Sequence, residues 1–149
     1  MKLLREYIRN LLLESADSGA RFTDEIYSRF EPRSGGEMAV SFPDGCEVRF
    51  VISDTFVMPF GPDDSPHARW DVVKTLGPDG EEDESCFRKG YARAAMEQVI
   101  NIADKHGIVL VGEASAFGKK STADTGTLIK FYSSLGFEAD GDQMKRYPK

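Results

Sequence analysis

The sequence predicts an α/β domain, a mixed sheet flanked by helices, because helical and strand patterns alternate through its second half. A stripe of apolar residues at helical spacing starts within residues 88–93 and ends at Gly107. Residues 108–114 are a short run of branched apolar residues, which is typical of a buried strand. A second amphipathic helix follows over residues 123–135, with Ser121 or Thr122 as its cap and Phe131 on its apolar face, and then a strand near 143–147. The order of helix, strand, helix and strand indicates helices packed on a sheet.

The N-terminal half begins with a helical pattern and continues with a hairpin. Residues 2–14 place their leucines, a tyrosine and an isoleucine on one side of a helix, and residues 15–21 form a polar linker. Residues 37–42 and 47–53 flank a Pro-Asp-Gly turn, which is typical of a β-hairpin. Residues 70–75 form a further strand. We therefore expect a single domain over residues 22–149, preceded by a leader helix over 1–14.

Composition and charge restrict the class of protein. The 149 residues carry a formal net charge of -6, which argues against nonspecific binding of nucleic acid. We find no apolar stretch long enough to span a membrane and no signal-peptide pattern. His67 and His106 lack partners at ligand spacing, so no metal site is predicted. Cys46 and Cys86 do not form a disulfide framework, which favours a reducing, cytoplasmic setting. Nothing in the sequence specifies an oligomeric state.

The start of the first predicted helix of the second half carries an unusual charge. A helix N-terminus is partly positive and attracts acidic side chains, yet Arg88, Lys89 and Arg93 stand there instead. A bound anion such as a phosphate group would relieve their repulsion, held by the free N–H groups of the first turn. The alternative is a basic turn exposed to solvent and screened by salt. Cys86 beside these cations is also a minor candidate for a nucleophilic thiol.

Two segments give the chain a resemblance to a known family. Arg88-Lys89-Gly90-Tyr91-Ala92-Arg93-Ala94 is similar to a pyrophosphate-binding loop, although Phe87 stands where that pattern has Arg or Gln. Tyr132-Ser133-Ser134-Leu135-Gly136-Phe137 is similar to a Tyr-x-x-Leu-Gly-Phe signature. In this order and spacing, the two segments resemble the GCN5-related N-acetyltransferase superfamily. The resemblance covers about half of the chain and implies a mixed, mostly antiparallel central sheet flanked by helices.

The resemblance also implies a reaction and the residues that carry it. The chain would move an acetyl group from acetyl-CoA to an amine on a small molecule or a protein. Cofactor contacts are expected from the strand and the loop, at Val72, Val73, Thr75, Arg88, Lys89, Gly90, Tyr91, Ala92 and Arg93. Tyr132 is the candidate acid that protonates the departing thiolate, and its alternative is an ordinary core residue. Glu113 or Asp71 could serve as the general base, and water could also suffice.

The predicted leader helix suggests a second function. It resembles the short leaders of internal head proteins of tailed phages, in which cleavage follows a Leu-x-Glu pattern, here Leu12-Leu13-Glu14. The other interpretation is that the helix packs on its own domain. The alternative function is therefore a non-catalytic binding or structural protein on the same fold, encoded by a phage and associated with its virion. In that case the cytoplasm would be that of an infected host cell.

Overall fold

The structure of the protein is a computed structural model that describes residues 2–57, 65–114, 124–141 and 143–149, with the backbone alone for 11–16 and 72. Within these residues, three helices are α1 (Lys2–Arg29), α2 (Tyr91–His106) and α3 (Thr125–Ser134). The strands are β1 (Glu31–Pro32), β2 (Met38–Ser41), β3 (Glu47–Ile52), β4 (Phe56–Val57), β5 (Pro66–Leu76), β6 (Val109–Glu113), β7 (Glu138–Asp140) and β8 (Gln143–Arg146).

The strands form one mixed sheet in the order β1-β2-β3-β5-β6-β8-β7, and β4 pairs with β5 outside this path. Every pairing is antiparallel except that of β5 with β6. Helix α2 makes the crossover that a parallel pair requires. The predicted fold class, a mostly antiparallel mixed sheet flanked by helices, is confirmed, and so is the hairpin of β2 and β3.

Helix α2 buries the apolar stripe that its sequence predicts. Met96, Val99 and Ala103 are buried at successive steps of three and four residues, and Ala95 is buried beside them. They belong to the core between the sheet and the helices. Gly107 ends the helix at a φ of 69°, and its N–H bonds the carbonyl of Asp104. The expected cap is confirmed.

Helix α1 is longer than the sequence predicts. It runs without a break through residues 15–21, so the predicted linker is wrong, and an Arg21–Asp17 ion pair of 2.8 Å at helical spacing supports the helix there. Phe22 and Ile26 of its second half pack into the core, together with Phe30 just after its end. At its start Leu3 is 81% and Tyr7 63% exposed, so these two side chains do not pack on the domain. The division into a leader over 1–14 and a domain over 22–149 stays a prediction.

Helix α3 also differs in its beginning from the predicted one. The predicted caps, Ser121 and Thr122, lie outside the described residues. The side chain of Asp124 instead accepts a hydrogen bond of 2.7 Å from the N–H of Thr127 and caps the helix. Among its described helices, the protein has none that is both long and apolar enough to cross a membrane.

Candidate functional site

Strands β5 and β6 separate in the middle of the sheet. Their parallel pairing joins His67–Arg69 to Val109–Val111, and β5 then continues to Leu76 without β6 beside it. On its other edge β5 pairs with β3, where Arg49 is opposite Lys74 but Val51 is opposite Asp71. Strand β5 therefore has one extra residue, a β-bulge, at the predicted cofactor residues Val72 and Val73. Among the described strands, the gap and the bulge leave backbone groups of β5 without a partner.

The loop before α2 is shaped by two residues with positive φ. Gly90 has a φ of 75° and is the N-cap of the helix, and Arg88 has a φ of 60°, which is uncommon for a residue with a side chain. The N–H groups in the first turn of any helix have no partner within the helix, and no described side chain caps those of α2. Such an end can accept an anion, and the anion site expected from the sequence stays a prediction.

A cavity of about 300 Å³ opens at this helix end. Its lining includes six of the nine predicted cofactor residues, and the full set is Thr75, Cys86, Arg88, Gly90, Tyr91, Ala92, Arg93 and Phe131. Val73 lies at the bulge and not in the lining, and the side chain of Val72 is outside the description. Lys89 is not part of the lining. The cavity thus joins the loop, the end of β5 and helix α3.

The basic charge of the loop is partly compensated by the protein itself. Asp44, in the turn between β2 and β3, accepts hydrogen bonds from Tyr91 Oη at 2.6 Å and from Lys89 Nζ at 3.0 Å. The ring of Tyr91 also stacks on Phe42, with 3.9 Å between the centroids. The Tyr91 hydrogen bond is the main reason why the pKa of Asp44 is lowered to about 2. For Lys89 the anion that relieves the repulsion is therefore the protein's own Asp44 carboxylate.

The two remaining cations of the loop have different surroundings. Arg93 donates to Ser134 Oγ at 2.5 Å, and its guanidinium lies 5.4 Å from the ring centroid of Phe131. These contacts tie the start of α2 to α3. Arg88 is exposed and forms no ion pair within the described part of the chain. Arg88 is consequently the loop cation that is available for an anionic ligand.

The two cysteines form a disulfide, which the sequence analysis did not expect. Cys46 follows the β2–β3 turn, Cys86 ends the short 3₁₀ turn before the loop, and their Cα atoms are 5.8 Å apart. The two cysteines are 40 residues apart, and no sequence motif indicates that they pair. The interpretation of Cys86 as a nucleophilic thiol is wrong, because its sulfur is bonded. The cysteines are therefore no argument for a reducing compartment.

Tyr132 lies in a cluster of aromatic side chains next to the cavity, not in its lining. It is 4% exposed, and its ring centroid is 4.5 Å from that of Trp70 and 5.6 Å from that of Phe137. Burial raises the pKa of Tyr132 above its usual value, so the hydroxyl keeps its proton. No partner for this hydroxyl is found within the described residues. Its geometry allows either a proton donor or a core residue.

The two candidate bases share one arginine. Arg69 lies 3.5 Å from Glu113 and 3.6 Å from Asp71, and Gln143 donates to Glu113 at 2.9 Å. A Cβ on Gly112 would point at the indole of Trp70, which contacts Tyr132. Glu113, the next residue of β6, points to the other face. The structure therefore does not bring Glu113 and Tyr132 together on one face of the strand.

Several residues of the site were missed by the sequence analysis. Asp44 was seen only as part of a turn, and Trp70 only as the start of a strand. A glycine inside a strand signals close approach of another group, and Gly112 is such a signal. Phe131 was assigned to the apolar face of α3, from which it reaches the cavity.

The chain matches no protein-family model, and none of the curated proteins matches it. Among solved structures it is similar to an anti-CRISPR protein, AcrVA5, at 19% sequence identity and a TM-score of 0.45. The similarity covers 74% of this chain and 97% of that protein.

Proposed function

We propose that this protein is an N-acetyltransferase that moves an acetyl group from acetyl-CoA to an amine. The observation that carries the proposal is the cavity at the uncapped N-terminus of α2, with Arg88 in its lining. A pyrophosphate group suits this cavity, because N–H groups of Tyr91, Ala92 and Arg93 can bond its oxygens and Arg88 supplies charge. Lys89, whose side chain is bound by Asp44, adds to the positive electrostatic potential around the cavity.

The gap beside β5 is the proposed place for the rest of the cofactor. Coenzyme A continues from its pyrophosphate as an extended chain with two amide groups. Unpaired backbone groups near Val72 and Val73 can bond such amides as a further strand would. Thr75, in the cavity lining, marks the path from the loop toward the bulge.

The reaction needs one proton accepted and one donated. The amine attacks the thioester carbonyl carbon, the carbon–sulfur bond breaks, and the thiolate takes a proton. Tyr132 is the proposed donor, because it holds the signature tyrosine position and follows Phe131 of the cavity lining. Glu113, which lies on the other face of β6, is the proposed acceptor of the amine proton, directly or through water. Acid and base would then act from opposite faces of the sheet.

The test is a titration with coenzyme A and acetyl-CoA by calorimetry, using two matched glycine variants. Gly90 and Gly35 share a φ of 75°, and a Cβ on either meets no atom within 4 Å. Gly90→Ala and Gly35→Ala should therefore cost similar stability from backbone strain. Only Gly90→Ala should weaken coenzyme A binding, because it changes the cavity. Equal affinity in the two variants, or no binding at millimolar coenzyme A, would overturn the proposal.

One observation favours the alternative, a non-catalytic protein delivered or docked through its N-terminus. The first turns of α1 expose Leu3 and Tyr7, which a self-contained enzyme does not need. A natively folded protein that binds no coenzyme A, and whose helix α1 is cut after Glu14 in infected cells, would favour this function.

A further inference from the structure

The loop that precedes α2 is fastened to the turn between β2 and β3. One disulfide, one ion pair, one hydrogen bond and one stacked ring pair make the connection. We call this set the clamp, and it joins Phe42, Asp44 and Cys46 of the turn to Cys86, Lys89 and Tyr91 of the loop. Asp44 also accepts the N–H of Cys46 at 3.0 Å, so the turn itself is ordered where it holds the loop.

The disulfide is the contact on which the others depend. The ion pair of Lys89 with Asp44 is solvent-exposed, and exposed pairs contribute little by themselves. The loop also holds Arg88 at a positive φ, which is costly for a residue with a side chain. A covalent bond at Cys86, two residues before Arg88, keeps the loop near the turn and maintains this conformation.

We propose that the Cys46–Cys86 disulfide is a redox-controlled clamp on the loop. The oxidised form holds residues 87–93 in the anion-binding conformation, and reduction releases them. The reductant is a dithiol, which attacks one sulfur and forms a mixed disulfide. Its second thiol then completes the exchange, so that it becomes a cyclic disulfide while both cysteines become thiols. This inference rests on the proposed function, because the same cavity binds the cofactor.

The position of Cys86 couples the disulfide to the ligand. Cys86 is only 2% exposed and is one of the residues that line the cavity. A cofactor in the cavity would cover the side from which a small dithiol approaches. Thermodynamic linkage requires the same coupling at equilibrium. If reduction lowers the affinity for the ligand by a given factor, bound ligand lowers the equilibrium constant for reduction by the same factor.

The experiment compares oxidised protein, protein reduced with dithiothreitol, and the double variant Cys46→Ser with Cys86→Ser. The chain has 2 cysteines, so the dithiol has no other target in it. We expect amide hydrogen exchange of residues 88–93 to accelerate on reduction, while that of β6 stays unchanged. The Kd for coenzyme A and for inorganic pyrophosphate should rise about tenfold, as for a loop that is competent about a tenth of the time. The double variant should match the reduced protein with or without dithiol.

The outcomes separate this inference from the proposed function. Unchanged exchange in the loop after complete reduction would overturn the clamp, and so would faster exchange with an unchanged Kd. Faster exchange of the loop, with neither probe binding the oxidised protein, would support the clamp and overturn the acetyltransferase proposal. Loss of protection in β6 as well would mean that reduction unfolds the domain, which also overturns the clamp.

Discussion

The contact of Gly112 with Trp70 allows a sharp test of the packing beside the gap. A Cβ on Gly112 would lie 2.6–2.8 Å from three atoms of the indole, which is closer than carbon atoms pack. Trp70 is 2% exposed and is held by Tyr132 and Phe137, so it has no free space to move into. We expect Gly112→Ala to destabilise the protein by about 1–3 kcal/mol, the usual cost of overpacking a core. Urea unfolding followed by circular dichroism measures this change.

Gly126→Ala provides the control for the same substitution. Gly126 lies in the first turn of α3, and its Cβ would lie 3.6 Å from the nearest atom, Asp124 Oδ1. Alanine suits a helix better than glycine, so stability should stay equal or rise by up to about 1 kcal/mol. If Gly112→Ala leaves the free energy of unfolding unchanged, the indole does not lie on the strand as described.

Three further predictions concern the site and the leader. Tyr132→Phe should lower kcat by about 10²-fold if Tyr132 is the acid, with little effect on stability or coenzyme A affinity; unchanged turnover would remove Tyr132 from the mechanism. Asp44→Asn should lower the free energy of unfolding above pH 4, and the difference from wild type should disappear as the pH falls through about 2. The reason is that the contacts of Asp44, which lower its pKa, stabilise the folded protein only while the carboxylate is charged. Chemical unfolding at several pH values measures this difference. Deleting residues 2–14 should leave a cooperatively melting domain, since Phe22 is the first core residue among the described side chains of α1; an unfolded truncation would show that the leader packs on the domain.

Local sequence patterns predicted most of the fold. The stripe of α2, the cap at Gly107 and the hairpin of β2 and β3 each depend on residues close in sequence, and each was predicted. The helix from Lys2 to Arg29 was not, because its polar middle contains Gly19 and lacks an apolar stripe. Packing of Phe22 and Ile26 into the core stabilises the helix there, and the periodicity of the sequence cannot predict this packing.

The candidate site was predictable only in part. Its loop lies within one stretch of sequence, so Arg88 and Gly90 were found from charge and motif. Asp44 lies 45 residues before Lys89, and Cys46 lies 40 before Cys86. Such pairs arise only when the hairpin folds back on the loop. Nor does the spacing of Glu113 and Tyr132 in the sequence show that Tyr132 of α3 lies over the face of β6 opposite to Glu113.

The disulfide has a consequence for the acidic segment between β5 and the loop. Residues 77–85 form a compact turn of their own, in which Gly77 N bonds Glu81 O at 2.8 Å and Ser85 N bonds Asp83 at 2.9 Å. The segment is fixed at one end by the sheet and at the other by Cys86. Changes of length between these two fixed ends can be absorbed within the segment, since neither anchor has to move to accommodate them. Its charge does reach the loop, because Asp83 contributes to the raised pKa of Lys89. This stretch of the surface can therefore vary in length, or be shaped toward an acceptor, while its acidic residues act on the cations of the loop.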